Sequence, residues 1–523
     1  MNKMDNLTDK QNQLLFWGCF AALAATSFGF IVRTQVIGDW GVEFGLSETE
    51  KGEIFGVGLW PFCISIILFS LIVDRIGYGL SMIIAFGLHV VSAIVTILAD
   101  GYWMLYIGTF ILALGNGTVE AAINPVVATI YPKEKTKWLN ILHAGWPAGL
   151  VLGGILAILM GPETSWKWKV ALVLIPVIIY GFVLWGRKFP VQERVKAGVS
   201  YKDMLSEAGA LGFFLILYIV LLEINRVAGL NPLVEGELFS LPHISLTLLL
   251  VAVSVAYYLY TESYGRPLFI LLLLIMVPLA TTELGTDSWI TELMVPFLGD
   301  NAGWVVVYTA LIMMILRFYA GPIVHRISPL GLLALSSAIA FVGLIILSSA
   351  TGFMIFIAAT IYGLGKTFFW PTMLGVAGER FPKGGALTLN AITGVGMLAA
   401  GVFGAAFLGN IQDKQIDRDL LAQNPAVHAK AMGDEKSSIF GDYKPIDQQK
   451  VGSLSASDKS AISNIQTNAK QGALSTVAVF PAIMLVSYLG MMMYFRSIGG
   501  YRPIHLNQEE ISDDSLDSVG EEE

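Results

Sequence analysis

Charge is what this sequence has least of: 14% of its 523 residues are Asp, Glu, Lys or Arg, against roughly 25% in an average soluble domain. A water-soluble enzyme of this length is excluded on that ground. Cysteine is scarcer still, and Cys19 and Cys63 lie inside apolar runs with no metal-ligand spacing, so neither a disulfide framework nor a zinc site is indicated. Both read as packing residues. The sequence also lacks a glycine-rich phosphate loop for ATP and a nucleophile motif in a suitable setting, so neither an enzyme nor a nucleotide-driven pump is expected, and no cofactor or metal. Basic residues are in deficit, 32 Lys and Arg against 40 Asp and Glu, and the stretch from Glu509 to Glu523 carries eight acids and no base. Nucleic acid is thereby disfavoured as a partner.

What is present is apolar: 55% of the residues are hydrophobic, and 54 glycines suit helices that pack closely in lipid. A span needs about 20 apolar residues to cross roughly 30 Å of hydrocarbon. Fourteen stretches qualify, centred near residues 25, 63, 88, 115, 149, 178, 217, 251, 277, 312, 340, 365, 397 and 484. The first, about Leu14 to Val32, is too long for a signal-peptide core and has no basic region before it, so it is expected to remain as a span. Lys and Arg crowd alternate connections: Lys133, Lys135 and Lys137; Arg187, Lys188, Arg194, Lys196 and Lys202; Arg380 and Lys383. The positive-inside rule places these and both termini in the cytoplasm, which fits a bacterial inner membrane. The polar stretch 411–471 then lies outside, as a small cap or a disordered loop.

The chain repeats itself at an interval of about 250 residues. Asp74-Arg75 recurs as His325-Arg326, Pro132 with Leu139-Asn140 as Pro382 with Leu389-Asn390, Gly115 and Gly117 as Gly363 and Gly365, and Ala25-Thr26 more loosely as Ala280-Thr281. Two six-span halves related in this way, with a solute site between them at mid-membrane, are the build of many secondary transporters. The expected organisation is a cytoplasmic 1–12, a first bundle 13–187, a basic linker with an inserted two-helix hairpin at 188–265, a second bundle 266–496 containing the polar loop, and an acidic cytoplasmic tail 497–523.

Ionisable side chains inside spans are costly and usually face a cavity or a partner. Glu283 and Asp287, four residues apart, share one helix face. Two carboxylates there repel, so one must hold a proton or a cation, and Arg33 on the pseudo-equivalent first span is the expected cation for Glu283 first and Asp287 second. The alternative for Asp287 is plain solvation at the membrane boundary. Glu120, among small residues in Gly115-Asn116-Gly117-Thr118-Val119-Glu120, has room for a ligand or a proton, or else makes a structural hydrogen bond. Lys366 and Arg317 are long enough to snorkel to an interface. His89 reads as a core residue. His143 is a cavity candidate because Asn140 lies on the same face. Gly145, Gly149 and Gly153 form a smooth strip for packing and rocking. Trp60, Trp146, Trp289 and Trp370 can stack on a sugar or serve as belt and core residues.

Asp74-Arg75-Ile76-Gly77, closing the second span before a very short turn, resembles the loop motif of the major facilitator superfamily, and Arg326 marks its repeat. More narrowly, Glu120, Asn124-Pro125, Pro132 and Leu139-Asn140 resemble the fucose–proton symporter family. The resemblance implies an all-α polytopic membrane protein and a role for Glu120 in sugar recognition and proton coupling. It departs from that family in having no acid between Ala24 and Phe30 of the first span, and in its inserted hairpin. The expected function is import of a small polar solute, a sugar, by proton or sodium symport, in a monomer embedded in the bilayer. Solute contacts are expected from Glu120, Asn124, Arg33, Asn140, His143, Trp289 and Trp370, coupling from Glu120, Glu283 and Asp287, and gating from Asp74, Arg75 and Arg326. Gly145-Trp146-Pro147 with Gly153-Gly154 partly matches an exporter motif, so a drug or metabolite antiporter stays open. So does a non-transporting receptor built around the 411–471 loop.

Overall fold

The computed structural model describes residues 7–46, 53–161, 163–227, 241–287, 303–435 and 442–506. The described residues form no strand ladder beyond one isolated bridge, Met432 to Ile446. Helix α1 (Asp9–Phe44) opens with a capping box in which Thr8 and Gln11 satisfy each other's backbone donors. It is followed by α2 (Trp60–Ile76), α3 (Tyr78–Ile97), α4 (Tyr102–Ile130), α5 (Lys135–Leu142), α6 (Gly145–Leu159), α7 (Trp166–Ala171) and α8 (Leu174–Leu184). Next come α9 (Tyr201–Val227) and α10 (Leu241–Thr261), at the place where the inserted pair is expected. The second half comprises α11 (Pro267–Ala280), α12 (Trp304–Phe318), α13 (Pro329–Leu347), α14 (Met354–Lys366), α15 (Phe369–Arg380), α16 (Gly385–Leu398), α17 (Ala405–Gln423), α18 (Ala456–Val477) and α19 (Val479–Ser497).

Among the described residues, eleven helical segments are long and apolar enough to cross a bilayer, against the fourteen stretches expected. The differences have local causes. Ser245–Thr261 and Trp304–Phe318 are apolar but short, and the stretch centred near 365 is broken at Thr367-Phe368 into α14 and α15. Helices that are apolar all round expose side chains to lipid where they lie outermost, such as Ile83 and Ile94 of α3 or Ile178 and Phe182 of α8. Helix α16 is the opposite case, because every residue from Gly385 to Leu398 is buried.

Glycines set the closest approaches. A Cβ on Gly149 would lie 2.2 Å from the Ala24 carbonyl oxygen and 2.1 Å from Ser27 Oγ, while Gly145 and Gly153 face Phe20 and Ile31. The strip therefore joins α6 to α1 within one half and is not the rocking surface expected. Only the neighbouring Gly154 meets the other half, at Val307. In the hairpin, Gly209 with φ +60° lies against the Gly265 backbone, so close that a Cβ would come within 1.9 Å of the Gly265 nitrogen. Phe213 stacks on Tyr257 at 4.5 Å, and Ile219 packs with Cys63 of α2 and Leu398 of α16.

The 411–471 stretch is ordered where described. Helix α17 and helix α18 run alongside each other, with Pro425–Ala431 and Gln448–Gly452 between them. They enclose a small core of Ile416, Leu420, Val427, Met432, Ile462 and Ile465.

Candidate functional site

Polar side chains buried between the halves form two connected sets. In the first half, the Glu120 carboxylate accepts from Asn124 Nδ2 at 3.3 Å, one turn further along α4, and Asn124 Oδ1 lies 3.1 Å from His143 Nε2. His143 sits at the break between α5 and α6, which turns its ring into the interior. In the second half, Arg317 of α12 donates from Nη2 to Glu283 at 3.0 Å, from Nε to the Thr367 carbonyl at 2.7 Å, and from Nη1 to the His143 carbonyl at 2.8 Å. A chain of contacts thus runs from Glu120 to Glu283 across the boundary between halves.

Glu283 lies in a short π-helical turn, Thr281–Gly285, that follows Pro278. Its neighbour Asp287 pairs with Lys366 at the end of α14, and the Lys366 ammonium lies 5.3 Å from the Tyr362 ring centre. Tyr362 in turn donates to the Thr282 carbonyl. Lys366 and Arg317 are each only 1% exposed. Snorkelling is thereby corrected: both stand deep in the protein as tethered counter-ions. The break at Thr367-Phe368 follows Lys366 directly, in the middle of its apolar stretch.

The pair between Arg33 and Glu283, or Asp287, expected in at least one state of a transport cycle, is not formed in this conformation. Those carboxylates are already held by Arg317 and Lys366, which lie on closer helices. Arg33 instead packs its guanidinium between Phe30 at 5.7 Å and Phe55 at 5.0 Å, and its buried Nε has no partner. A small cavity lined by Arg33, Trp40, Ser92, Thr96 and Thr109 adjoins it.

Asn140 does not join His143. Its Nδ2 bonds Thr136 O at 2.9 Å and, in the other half, Thr372 Oγ1 at 3.2 Å. Its repeat mate Asn390 mirrors this by reaching into the first half, to Ser70 Oγ at 2.8 Å and the Ala121 carbonyl at 3.1 Å. Trp370 is a packing residue and not an open stacking platform, since its ring fills the space over Gly396. Trp289 lies outside the described residues. His89 bonds Tyr180 and Asn116, both at 3.0 Å, as a core residue would. Among the described residues no group of three or more His, Cys, Asp or Glu gathers as a metal site.

At the end of the molecule that carries the termini, the halves are fastened together. Glu379 of α15 accepts from Thr136 N and Oγ1, at 3.3 and 2.5 Å, and Lys135 Nζ donates to the Gly378 carbonyl at 3.2 Å and to Glu193 at 2.6 Å. Tyr501 reaches back to Glu379 at 2.8 Å, and Ile504 N bonds the Glu379 carbonyl at 2.7 Å. Burial, and then the Glu379 carboxylate, push the Tyr501 phenol well above its ordinary range. Asp74 pairs with Arg194 of the linker, and Arg75 lies over the Tyr201 ring at 5.3 Å. The loop motif thus grips the linker, while Arg326 is exposed.

The family model of the Major Facilitator Superfamily matches residues 14–405. In fold the chain is similar to the E. coli fucose:proton symporter FucP, at 16% identity over 90% of this chain and 98% of that one with a TM-score of 0.53. It is also similar to the proton:xylose symporter XylE, at 12% identity over 97% of this chain and 100% of that one with a TM-score of 0.60. A Bacillus subtilis protein named hexuronate transporter is 27% identical over 30% of this chain and 38% of its own length. A cis,cis-muconate transport protein of Acinetobacter baylyi is 24% identical over 32% and 41%. The chain spans less than half the length of these two curated relatives. With the family matched over most of its length, the chain belongs to the major facilitator superfamily, a family of membrane transporters.

Proposed function

We propose that this protein is a secondary active transporter that imports a small polar solute of the sugar class by cation symport, most readily one bearing a carboxylate. The carrying observation is how charge is shared inside the membrane region. Glu283 and Asp287 each have a tethered cation. Glu120 and Arg33, by contrast, have no ion-pair partner among the described residues.

A guanidinium cannot shed its charge at any accessible pH, so Arg33 calls for an anion, and the carboxylate of an acidic sugar supplies one. A carboxyl without a cation is neutralised most cheaply by a proton, which assigns coupling to Glu120. The curated relatives support this reading, because hexuronate and muconate both carry carboxylates. Alternating access then moves one six-span half against the other. For this, the short helices Ser245–Thr261 and Trp304–Phe318 and the broken pair α14–α15 also cross the membrane, giving fourteen spans in a bacterial inner membrane.

The test is uptake into proteoliposomes of a radiolabelled hexuronate and its neutral hexose, under imposed proton or sodium gradients. Gradient-driven accumulation of the acid is expected to exceed that of the neutral sugar. Glu120→Gln should abolish accumulation and keep exchange, and Arg33→Ala should erase the preference for the acid. Equal uptake of both sugars, or full accumulation in Glu120→Gln, overturns the assignment.

A further inference from the structure

We infer that Arg317 and Asn390 are positioning residues of the transport cycle, each latching the halves together through a main-chain carbonyl that a proline has deprived of its helical donor. In an α-helix the carbonyl of residue i accepts from the N–H of residue i+4, and proline has no N–H to give. Residue 125 is proline, so Ala121 O has no donor within α4. Residue 147 is proline, so His143 O has none at the start of α6. Residue 371 is proline, so Thr367 O has none at the start of α15.

A side chain reaches each of these oxygens. Asn390 of the second half takes Ala121 O at 3.1 Å, and Arg317 of the second half takes His143 O at 2.8 Å. The same guanidinium takes Thr367 O at 2.7 Å with its Nε. Two of the three bonds cross between halves. The donors are fully buried, as are Ala121 and His143.

An orphan carbonyl away from water is costly, and in a membrane interior it has little else to bond. The closed arrangement is therefore favoured for as long as Asn390 and Arg317 stay in place. Parting of the halves at the terminus end must break both bonds and leave Ala121 O and His143 O to whatever donors arrive. Water is one source, and the hydroxyls of a sugar are another. Both oxygens belong to the polar set of Glu120: Ala121 is its chain neighbour, and His143 is joined to it through Asn124. The inference rests on alternating access from the preceding section, but it concerns the equilibrium between closed and open forms and requires neither a particular solute nor a coupling ion.

The test needs no solute. The full chain in lipid nanodiscs carries nitroxide labels at Lys133→Cys in the first half and Arg496→Cys in the second, both exposed at the terminus end, while Cys19 and Cys63 are fully buried and stay unlabelled. Pulsed dipolar spectroscopy reads the fraction of molecules in which the two ends have parted. Asn390→Ala removes the bonds to both Ala121 O and Ser70 Oγ, so it should raise that fraction at least about tenfold, the effect of one buried hydrogen bond or more. Adding Pro125→Ala, which returns an N–H to Ala121 O, should recover the share of the loss that belongs to that oxygen, while the bond to Ser70 stays lost. Pro147→Ala leaves every polar side chain in place and gives His143 O a helical donor, so it should also shift the ends apart, and it carries the test alone if Asn390→Ala fails to fold. Additive effects of Asn390→Ala and Pro125→Ala, or an unchanged distance distribution in Pro147→Ala, overturn the latch. A failure of hexuronate uptake would leave these distances untouched, so the two readings fail separately.

Discussion

Lys366 and Asp287 show what a single charge costs in this setting. Removing one partner of a buried pair leaves the other charge uncompensated, at about 3–5 kcal/mol. Asp287 keeps 21% of its side chain exposed, so Lys366→Ala should cost less, roughly 2–3 kcal/mol. Asp287→Asn added to Lys366→Ala should recover most of the loss, because no charge is then stranded. Thermal unfolding in detergent would register the difference, and a double variant no more stable than Lys366→Ala would mean that the pair is energetically idle. That Glu283 and Asp287 share a face was legible from their spacing alone. Which cations meet them was not, because that depends on how α12 and α14 pack against α11. Arg317 and Lys366 carry no local mark separating a tethered counter-ion from a snorkelling side chain. The bond that Glu120 accepts from Asn124, one turn further along α4, is also a matter of spacing within one helix.

Among the elements, helices were easier to anticipate than their interruptions. An apolar run announces a span, whereas the break at Thr367-Phe368 and the π-turn at Thr281–Gly285 arise where proline and tertiary contacts outweigh local preference. Prolines 125, 147 and 371 were readable as residues but not as vacated carbonyls, since the side chains that fill those vacancies come from far along the sequence. The segment after α19 is a further case, docking through Tyr501 and Ile504 onto α15. A phenol whose value in the folded protein is raised contributes fully below its unfolded value and loses its contribution as pH rises through the folded one. Docking of residues 499–506 should therefore hold up to about pH 10 and weaken above it. Hydrogen exchange across pH 7 to 11, corrected for intrinsic rates, would follow this. In Tyr501→Phe the protection should be lower and independent of pH over that window, and a pH-dependent loss in that variant would remove Tyr501 as its cause.

For the molecule as a whole, repeat landmarks carried most of the legible information. The 250-residue interval pairs Asn140 with Asn390, and each indeed reaches into the opposite half. The order within 411–471 was hidden, because the eight buried apolar residues of its core are scattered through a polar stretch and show no period until α17 and α18 lie side by side. The proposed topology, with the basic loops inside, puts this cap on the outer face. A Ser460→Cys variant should react with a membrane-impermeant maleimide in intact cells, and labelling only after lysis would invert the topology.

Helix α16 is a poor membrane segment by itself, with Thr388, Asn390, Thr393 and three glycines in fourteen residues, and none of its surface faces lipid. A newly made chain gains little by committing it to the bilayer until partners exist to receive it. Those partners include α2, α4 and α9, all translated well before it. The first half and α9 thus form much of the groove in which α16 is buried. Mutations that loosen the groove they offer would act during biogenesis, as retained or degraded protein, before any defect in transport had the chance to show.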